Sequence, residues 1–322
     1  MATKQYMNVK TAADLWGLTE RRVRILCSDG RVDGVIRNGW AWNIPVGTEK
    51  PQDGRSLRHI KNIALRPGAA HYEELDTLHA SFLKQKGDEG YVLRTFRSNV
   101  SDFLCGAFAL DGMTIDRKEV DKLFEGEVPS LPLEPLSLAM NVRTILTHTI
   151  LDGGFGPIAG RGGHDEPFLS ERKLRFLFRT LLSGIDDTSD GSYRKASIPA
   201  GGSDDLKVFS IEQQMAILLF QYEKEWQMFH PLVRASFLFG ELMRIRPFGK
   251  YDGLFALLAM SEELLSSSYP YVVLLPDQCE ELRADLSLTQ RRGNYQALIA
   301  LFEGDLVKLQ KTLMRKKDQN NG

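Results

Sequence analysis

The segment RPFGKYDGL, residues 246–254, holds two cations, one carboxylate and two glycines between two apolar stretches. A loop of this composition that runs into the N-terminus of a helix can gather backbone N–H groups around an anion, so the segment indicates a phosphate site. Arg246 and Lys250 would add positive charge there. An ordinary turn between helices accounts for the same residues, because the glycines supply flexibility and Asp252 can cap the following helix. The residues alone leave both interpretations open.

Two helices are predicted to hold this loop. Before it, apolar residues recur at helical spacing and stop at Arg246, where Pro247 interrupts the pattern. After it, an apolar run over residues 254–260 opens a second helix. The residues of the first helix that are predicted to face the core are Leu232, Phe237, Leu238, Leu242 and Ile245.

The stretch over residues 230–260 resembles the central motif of the Fic (Fido) family. Active members carry His-Pro-Phe, one variable residue, an acidic residue, Gly-Asn-Gly-Arg, two variable residues and a second Arg. Pro247, Phe248 and Gly253 match this pattern. The resemblance implies a helical fold and, for an active member, transfer of AMP from ATP to a protein hydroxyl with a bound Mg²⁺.

The residues that would carry this chemistry are replaced. Arg246 stands where active members have the catalytic His, and a guanidinium stays protonated near neutral pH and cannot act as a base. Lys250 stands where they have the acidic metal ligand, and its ammonium repels Mg²⁺. Leucines replace the two arginines that would grip the triphosphate, and they offer no donors. The chain is therefore predicted to be a pseudoenzyme with no metal ligands and no catalytic residues; the positions of this degenerate motif are Arg246, Lys250, Tyr251, Asp252, Gly253, Leu254 and Leu257.

A second segment, residues 98–126, resembles the inhibitory helix of some Fic proteins. There a Ser or Thr, three variable residues, Glu and then Gly or Asn place a carboxylate against the second arginine of the central motif. Here Ala107 stands at the Ser position, Asp111 at the Glu position and Gly112 at the Gly position. The resemblance gives Leu257 as the partner of Asp111, so both ends of that ion pair are altered. A simple turn residue before Gly112 is the alternative interpretation of Asp111.

A third segment, residues 191–203, resembles the Fic flap, a hairpin that aligns the target side chain by adding a strand to it. Tyr193 and Arg194 match the family. We therefore expect a docking edge for a peptide or protein partner even without catalysis. The Gly-rich stretch over residues 152–168 matches no phosphate-loop pattern, because the Lys-Ser/Thr ending and a preceding strand are missing, and we interpret it as a mobile loop.

The first fifty residues predict a different kind of unit. A helix is predicted over residues 11–16, a turn follows at Gly17, and Thr19 caps a second helix over residues 20–28. Apolar residues alternate on both sides of Asn38-Gly39, which predicts a two-stranded wing. Two short helices and a wing make a winged helix-turn-helix. The residues predicted to face its core are Val9, Ala12, Ala13, Leu15, Leu18, Val23 and Leu26.

The outer side of the second helix is basic. Residues 1–60 contain ten Lys and Arg against six Asp and Glu, a balance of +4 in a chain whose total charge is −1. Cations on one helix face beside a wing suit contacts with DNA phosphates and grooves. A basic helix that meets only solvent is the alternative. The segment resembles the winged helix-turn-helix of the excisionase and MerR type, and its predicted DNA-binding residues are Thr19, Arg21, Arg22, Arg24, Arg31 and Arg37.

Composition narrows the remaining classes of protein. A net charge of −1 favours no partner for the chain as a whole, and the three cysteines and six histidines show no metal-ligand spacing. Free cysteines fit a reducing compartment. No apolar run approaches the roughly 20 residues that a membrane span needs. We therefore expect a cytoplasmic protein without a membrane partner.

These patterns together predict a mainly α chain. Among its helices, one follows a cap at Thr114 and ends at Gly126, one follows a cap at Ser170, one runs over residues 211–229, and a closing pair lies within residues 291–317. Residues 1–50 form a small winged helix-turn-helix domain, 51–68 a linker and 69–322 an all-α Fic-like helical domain with a short β-hairpin flap. The favoured function is a DNA-binding transcriptional regulator that binds double-stranded DNA as a homodimer and needs no cofactor, its degenerate Fic-like domain serving dimerisation or sensing. Two alternatives stay open: a Fic-type adenylyltransferase with an altered active site, and a non-catalytic module that binds ATP, another nucleotide or an anion through Arg246 and Lys250.

Overall fold

A computed structural model describes residues 6–28, 32, 35–38, 41–48, 50, 65, 67, 72–86, 89–152, 169–186, 190–199, 208–267 and 269–320. The chain separates into two compact units, Met1–Lys61 and Asn62–Gly322. Helices dominate the described residues, and this confirms the predicted fold class. No described helix is both long enough and apolar enough to cross a bilayer.

The first unit combines two helices with a small antiparallel sheet. Its elements in chain order are β1 (Tyr6–Asn8), α1 (Val9–Trp16), α2 (Glu20–Ser28), β2 (Ile36–Asn38) and β3 (Ala41–Pro45), and the strand order in the sheet is β1-β3-β2. Helix α1 packs on α2 and on strands β1 and β3, and apolar residues at helical spacing on both helices share one core with the sheet. The buried residues of this core are Met7, Val9, Ala12, Ala13, Trp16, Val23, Leu26, Cys27, Val32 and Ile44.

Three predictions for the first unit are wrong in detail. Helix α1 begins two residues early, because the Asn8 side chain accepts the N–H of Thr11 at 2.8 Å and caps it there. Leu15 is 70% exposed, since the buried stripe of α1 follows residues 9, 12, 13 and 16. Asn38 pairs with Ala41 in the sheet and so belongs to β2 rather than to the turn. Strand β1 was not predicted at all.

The described residues of the second unit form a helical bundle and a two-stranded antiparallel sheet. Its elements are α3 (Glu73–Lys86), α4 (Glu89–Leu110), α5 (Arg117–Glu125), α6 (Leu133–Asp152), α7 (Glu171–Leu181), β4 (Ser197–Pro199), β5 (Val208–Ser210), α8 (Ile211–Lys224), α9 (Pro231–Ile245), α10 (Asp252–Ser266), α11 (Cys279–Arg292) and α12 (Gln296–Asn320). Two 3-10 turns, Trp226–Met228 and Pro276–Gln278, precede α9 and α11.

Helices α9 and α10 form the centre of this bundle. Every residue of α9 that was predicted to face the core is buried. Helix α10 is buried without a break over residues 252–264, because α4, α6, α7 and α9 surround it. A helix enclosed in this way has apolar residues on every side. The loop between α9 and α10 is therefore anchored at both ends in the core.

Several predicted boundaries differ from those of the structure. Helix α5 begins at Arg117 because Asp116, not Thr114, caps it; the Asp116 carboxylate accepts the N–H of Lys118 at 2.9 Å. Gly126 ends α5 in the left-handed conformation, as predicted. Helix α10 begins two residues before the apolar run at residue 254.

The remaining differences concern chain connections. The helix predicted over residues 211–229 ends at Lys224 and continues as a 3-10 turn. The hairpin predicted within residues 191–203 has its second strand beyond that range, since β4 pairs with β5. A helix pair was predicted within residues 291–317, whereas almost all of that stretch is the single helix α12, which runs on to Asn320. The Gly-rich stretch over residues 153–168 lies outside the described residues.

Candidate functional site

The loop over residues 246–251 has a fixed backbone shape. Its first residue, Arg246, has φ 47° and its last, Tyr251, has φ 55°. In the described part of the chain these are the only non-glycine residues with positive φ. Such conformations cost about 1–3 kcal/mol each and persist only where the surrounding structure enforces them. The loop is therefore held in place by its contacts.

Asp252, the first residue of α10, folds the loop back on itself. Its buried carboxylate accepts the N–H groups of Phe248 at 3.0 Å and Gly249 at 2.7 Å. Burial raises the pKa of Asp252 to about 6, although the two N–H groups and the Arg246 guanidinium act in the opposite direction. The nearest approach of that guanidinium is 3.7 Å, from Nε to Oδ2 of Asp252. Asp252 thus binds the loop backbone that precedes it. It does not cap α10 as the turn interpretation expects, because it is the first residue of the helix and its acceptor oxygens face backward to the loop.

Asp111, in the turn that follows α4, binds the N-terminus of α10. Its carboxylate accepts the N–H of Gly253 at 2.9 Å and the N–H of Leu254 at 2.8 Å. We call these two groups the α10 donor pair. A Cβ on Gly253 would lie 2.7 Å from Cβ of Leu110 and 3.1 Å from Oδ1 of Asp111, so this approach requires a glycine. The resemblance gave Leu257 as the partner of Asp111, whereas its hydrogen bonds go to the backbone.

The α10 donor pair, directly after the loop, holds the N–H groups that could bind a phosphate. The first N–H groups of a helix have no partner within the helix, and the helix dipole favours an anion beside them. Here the anion is a side chain of the protein itself. Burial raises the pKa of Asp111, and the two N–H groups and Arg246 partly offset this rise. Gly112 has φ 74° and forms the turn that presents Asp111 to α10.

The two cations of the loop have acidic neighbours. Arg246 is 57% exposed and lies beside Asp252, as described above. Lys250 is 66% exposed, and its Nζ lies 2.8 Å from Oε1 of Glu134 at the start of α6. Glu134 was not singled out from the sequence. Among the described residues, no group of three His, Cys, Asp or Glu side chains could hold a metal ion.

The two leucines at the arginine positions of the motif are core residues. Leu254 and Leu257 have no exposed surface and pack in the main core of the second unit. Neither side chain reaches the outer side of the loop. The structure thus separates the predicted motif positions into a loop of polar and charged residues and a buried helix face.

Arg194 joins the flap segment to the loop. Its guanidinium donates to the carbonyl oxygen of Arg246 at 2.6 Å and to that of Ile245 at 3.1 Å, and its backbone N–H donates to the carbonyl oxygen of Pro247 at 2.8 Å. Carbonyls at the end of a helix favour such a cation. Tyr193 is buried, and its ring centroid lies 5.6 Å from that of Phe248.

Aromatic packing beneath the loop was missed from the sequence. The ring of Phe178, on α7, stacks on that of Phe248 with centroids 3.6 Å apart and planes 2° apart. The apolar spacing of α7 predicts that Phe178 faces the core, but nothing in the sequence indicates which ring it meets. Phe248 therefore anchors the middle of the loop, where Asp252 also binds, while Arg194 holds the beginning of the loop.

The predicted DNA-binding residues lie mostly on α2 of the first unit. Thr19 caps the helix, because its hydroxyl oxygen accepts the N–H of Arg22 at 3.3 Å. Arg21 and Arg24 are exposed, and Arg22 is half-buried. Val23, Leu26 and Cys27 are buried on the inward side of α2. Arg37, on β2, lies 5.2 Å from the ring centroid of Trp42, and Arg31 lies outside the described residues.

Comparison with known proteins supports the fold. No protein-family model and no curated protein matches the chain. Several solved structures match it. Fic-1 (residues 134–508) from C. elegans has 15% sequence identity and a TM-score of 0.58, and the match covers 76% of this chain and 73% of the Fic-1 chain. A Fic domain containing signaling protein from Bacteroides thetaiotaomicron has 18% sequence identity and a TM-score of 0.59, and the match covers 75% of this chain and 97% of that protein. A Fic family protein from Desulfovibrio desulfuricans has 15% sequence identity and a TM-score of 0.54, and the match covers 79% of this chain and 78% of that protein. The chain therefore has a Fic-like fold over about three quarters of its length.

The buried carboxylate of Asp252 predicts a pH-dependent stability. Its pKa of about 6 in the folded state lies above the ordinary value of 3.8, so its protonated form is favoured by folding. This contribution is full below pH 4 and is lost as the pH rises through 6. We expect the free energy of unfolding of the wild type, relative to Asp252→Asn, to fall by about 2 kcal/mol between pH 4 and pH 7.

Urea unfolding of both proteins, followed by helical ellipticity at four pH values, measures this difference. Subtracting the Asp252→Asn curve removes the other titrating groups, which both proteins share. A difference that stays level, or that grows with pH, would contradict the prediction.

Proposed function

We propose that the protein is a DNA-binding transcriptional regulator whose Fic-like unit is a non-catalytic scaffold for dimerisation or sensing. The observation that supports it is the two-sided character of α2. Its inward side is buried in the core of the first unit, while its outward side presents Arg21 and Arg24. A compact unit with a cationic helix beside a small antiparallel sheet is suited to phosphate contacts and to a DNA groove.

The proposal keeps the predicted organisation of the chain. Residues 1–50 are the DNA-binding domain, 51–68 a linker and 69–322 the scaffold. Because helix-turn-helix proteins bind two half-sites, we infer a homodimer, which sedimentation velocity would register as a mass of two chains. A cytoplasmic site of action fits a protein that binds DNA and has three cysteines, none of them in a disulfide.

The Fic-like unit is proposed to be a pseudoenzyme because its loop is occupied by the protein's own groups. Asp111 takes both N–H groups of the α10 donor pair, and Asp252 takes two more from the loop. Arg246 cannot act as a base, and Lys250 carries the wrong charge for a metal ligand. Buried leucines replace the triphosphate grip. Among the described residues of the loop and the start of α10, none supplies the base, the metal ligand or the triphosphate grip that the resemblance requires for adenylyl transfer.

Two alternatives stay open beside this proposal. An adenylyltransferase with an altered site would transfer label from ATP to a protein substrate, and incubation with labelled nucleotides and candidate proteins tests it. A nucleotide- or anion-binding module would use Arg246 and Lys250, and calorimetric titration with ATP tests it. The occupied α10 donor pair and the Lys250–Glu134 contact weigh against both.

A double substitution of Arg21 and Arg22 by Ala tests the main proposal. On a mixed-sequence duplex, which offers Arg21 no specific base, we expect each arginine to contact one phosphate. The slope of log affinity against log salt concentration then falls by about 2, because each contact releases about 0.9 of a counterion. We expect the affinity for a mixed-sequence DNA duplex to fall at least about tenfold at low salt. Fluorescence anisotropy over a salt series gives both quantities.

The matched control removes the same charge from the second unit. Lys118 and Lys308 are both exposed there, and their double substitution by Ala should leave the slope and the affinity unchanged. If the two double variants behave alike, α2 is not the DNA-binding face and the proposal fails.

A further inference from the structure

This inference rests on the proposed function and concerns which bases α2 would read. The outward side of α2 carries an apolar side chain beside its cations. Ile25 lies one helical turn after Arg21, and 38% of its surface is exposed. Residues four apart lie on the same helix face, so Arg21 and Ile25 point toward the same surface. An isoleucine side chain makes no favourable contact with a phosphate, whereas it can pack against an apolar group of a base.

The arginines of this face differ in their contacts. Arg24 is bound to Glu20 at 2.7 Å, which holds its guanidinium along the helix surface. In the described part of the unit, no ion pair engages Arg21. Arg21 also lies in the first turn of α2, and the N-terminal residues of a recognition helix are those that reach base edges. Arg21 is therefore the arginine best placed to contact a base.

We propose that α2 reads a guanine through Arg21 and the methyl group of a thymine through Ile25. Arginine binds the O6 and N7 atoms of guanine with two hydrogen bonds, and an apolar side chain distinguishes thymine by its C5-methyl group. Four residues along a helix span about 6 Å, and base pairs are about 3.4 Å apart. The guanine and the thymine should therefore lie within about two base pairs of each other.

The experiment begins with selection of DNA from a random pool by the full-length protein at 150 mM salt. The selected duplex is then changed by single atoms or groups. Deoxyuridine in place of the thymine removes only the methyl group, and 7-deazaguanine removes only the N7 acceptor. We expect the wild type to lose about fourfold in affinity with deoxyuridine and about tenfold with 7-deazaguanine.

The variants assign each loss to a side chain. Ile25→Ala should be insensitive to deoxyuridine but sensitive to 7-deazaguanine, and Arg21→Ala should show the opposite pattern. Leu15→Ala is the matched control, because Leu15 is an exposed apolar residue on α1, and it should keep both losses. Sensitivity that is the same in all four proteins would overturn the inference.

The failures of the inference and of the proposed function are distinguishable. If no duplex binds, whether selected or of mixed sequence, the proposed function itself fails. If DNA binds without sequence preference, or if the selected sites lack the guanine and thymine pair, DNA binding stands and the inference is overturned.

Discussion

Replacing Asp111 by Ala is expected to lower the free energy of unfolding of the second unit by about 3 kcal/mol. The change leaves the α10 donor pair without its acceptor, and Gly253 and Leu254 are both buried. Hydrogen bonds to a charged group are worth about 1.5–3 kcal/mol each. The loss is less than the sum of two such bonds, because burial of the Asp111 carboxylate is itself unfavourable, as its raised pKa indicates.

Urea unfolding followed by helical ellipticity measures this change. Asp111→Asn should fall between the wild type and Asp111→Ala, since its amide offers one acceptor oxygen instead of two. Asp121→Ala is the control, because Asp121 is a half-buried acid whose Arg117 partner is 3.8 Å away. An Asp111→Ala protein as stable as the control would mean that the bonds of Asp111 contribute nothing to folding.

The same variant also tests whether the α10 donor pair is a latent anion site. With the carboxylate gone, inorganic phosphate can approach the N-terminus of α10, where the helix dipole favours it. We expect phosphate to raise the melting temperature of Asp111→Ala and to leave that of the wild type unchanged. An equal response of the two proteins would show that phosphate binds elsewhere.

Local pattern predicted the elements around the loop well. Helical spacing of apolar residues and Pro247 located the end of α9, and Ser170 was correctly predicted to cap α7. The start of α10 was misplaced, because Asp252-Gly253 is typical of a turn. In the structure Asp252 is already helical and its carboxylate binds the loop backbone before it. Gly253 allows Leu110 to approach, a role that only a tertiary contact defines.

The contacts that decide the chemistry of the loop could not be predicted. Asp111 lies 142 residues before Gly253, and Arg194 lies 52 residues before Arg246. No periodicity connects such positions, since their meeting depends on how α4, α9 and α10 pack. The resemblance to Fic proteins pointed to Asp111 and Arg194 as residues of interest. Their partners in this chain are nevertheless backbone groups, which a motif cannot specify.

Leu257→Arg is expected to have the largest effect of any single change considered, a loss of at least about 4 kcal/mol. The substitution restores an arginine of the active Fic motif at its own position. Leu257 is fully buried in a helix that α4, α6, α7 and α9 surround. A guanidinium there would lose its hydration, and the Asp111 carboxylate that the resemblance pairs with this position is already bound to the α10 donor pair. An arginine that grips a triphosphate needs an open loop instead.

Leu257→Met is the matched control, because it keeps the volume and the apolar character and should cost less than about 1.5 kcal/mol. Urea unfolding of the two variants gives the comparison. If Leu257→Arg were as stable as Leu257→Met, the position could present a cation toward the loop, and the departure from the active motif would be reversible by substitution. A large loss would instead mean that the packing of α10 now depends on leucine, so that restoring the catalytic residues one at a time would unfold the scaffold before it rebuilt a nucleotide site.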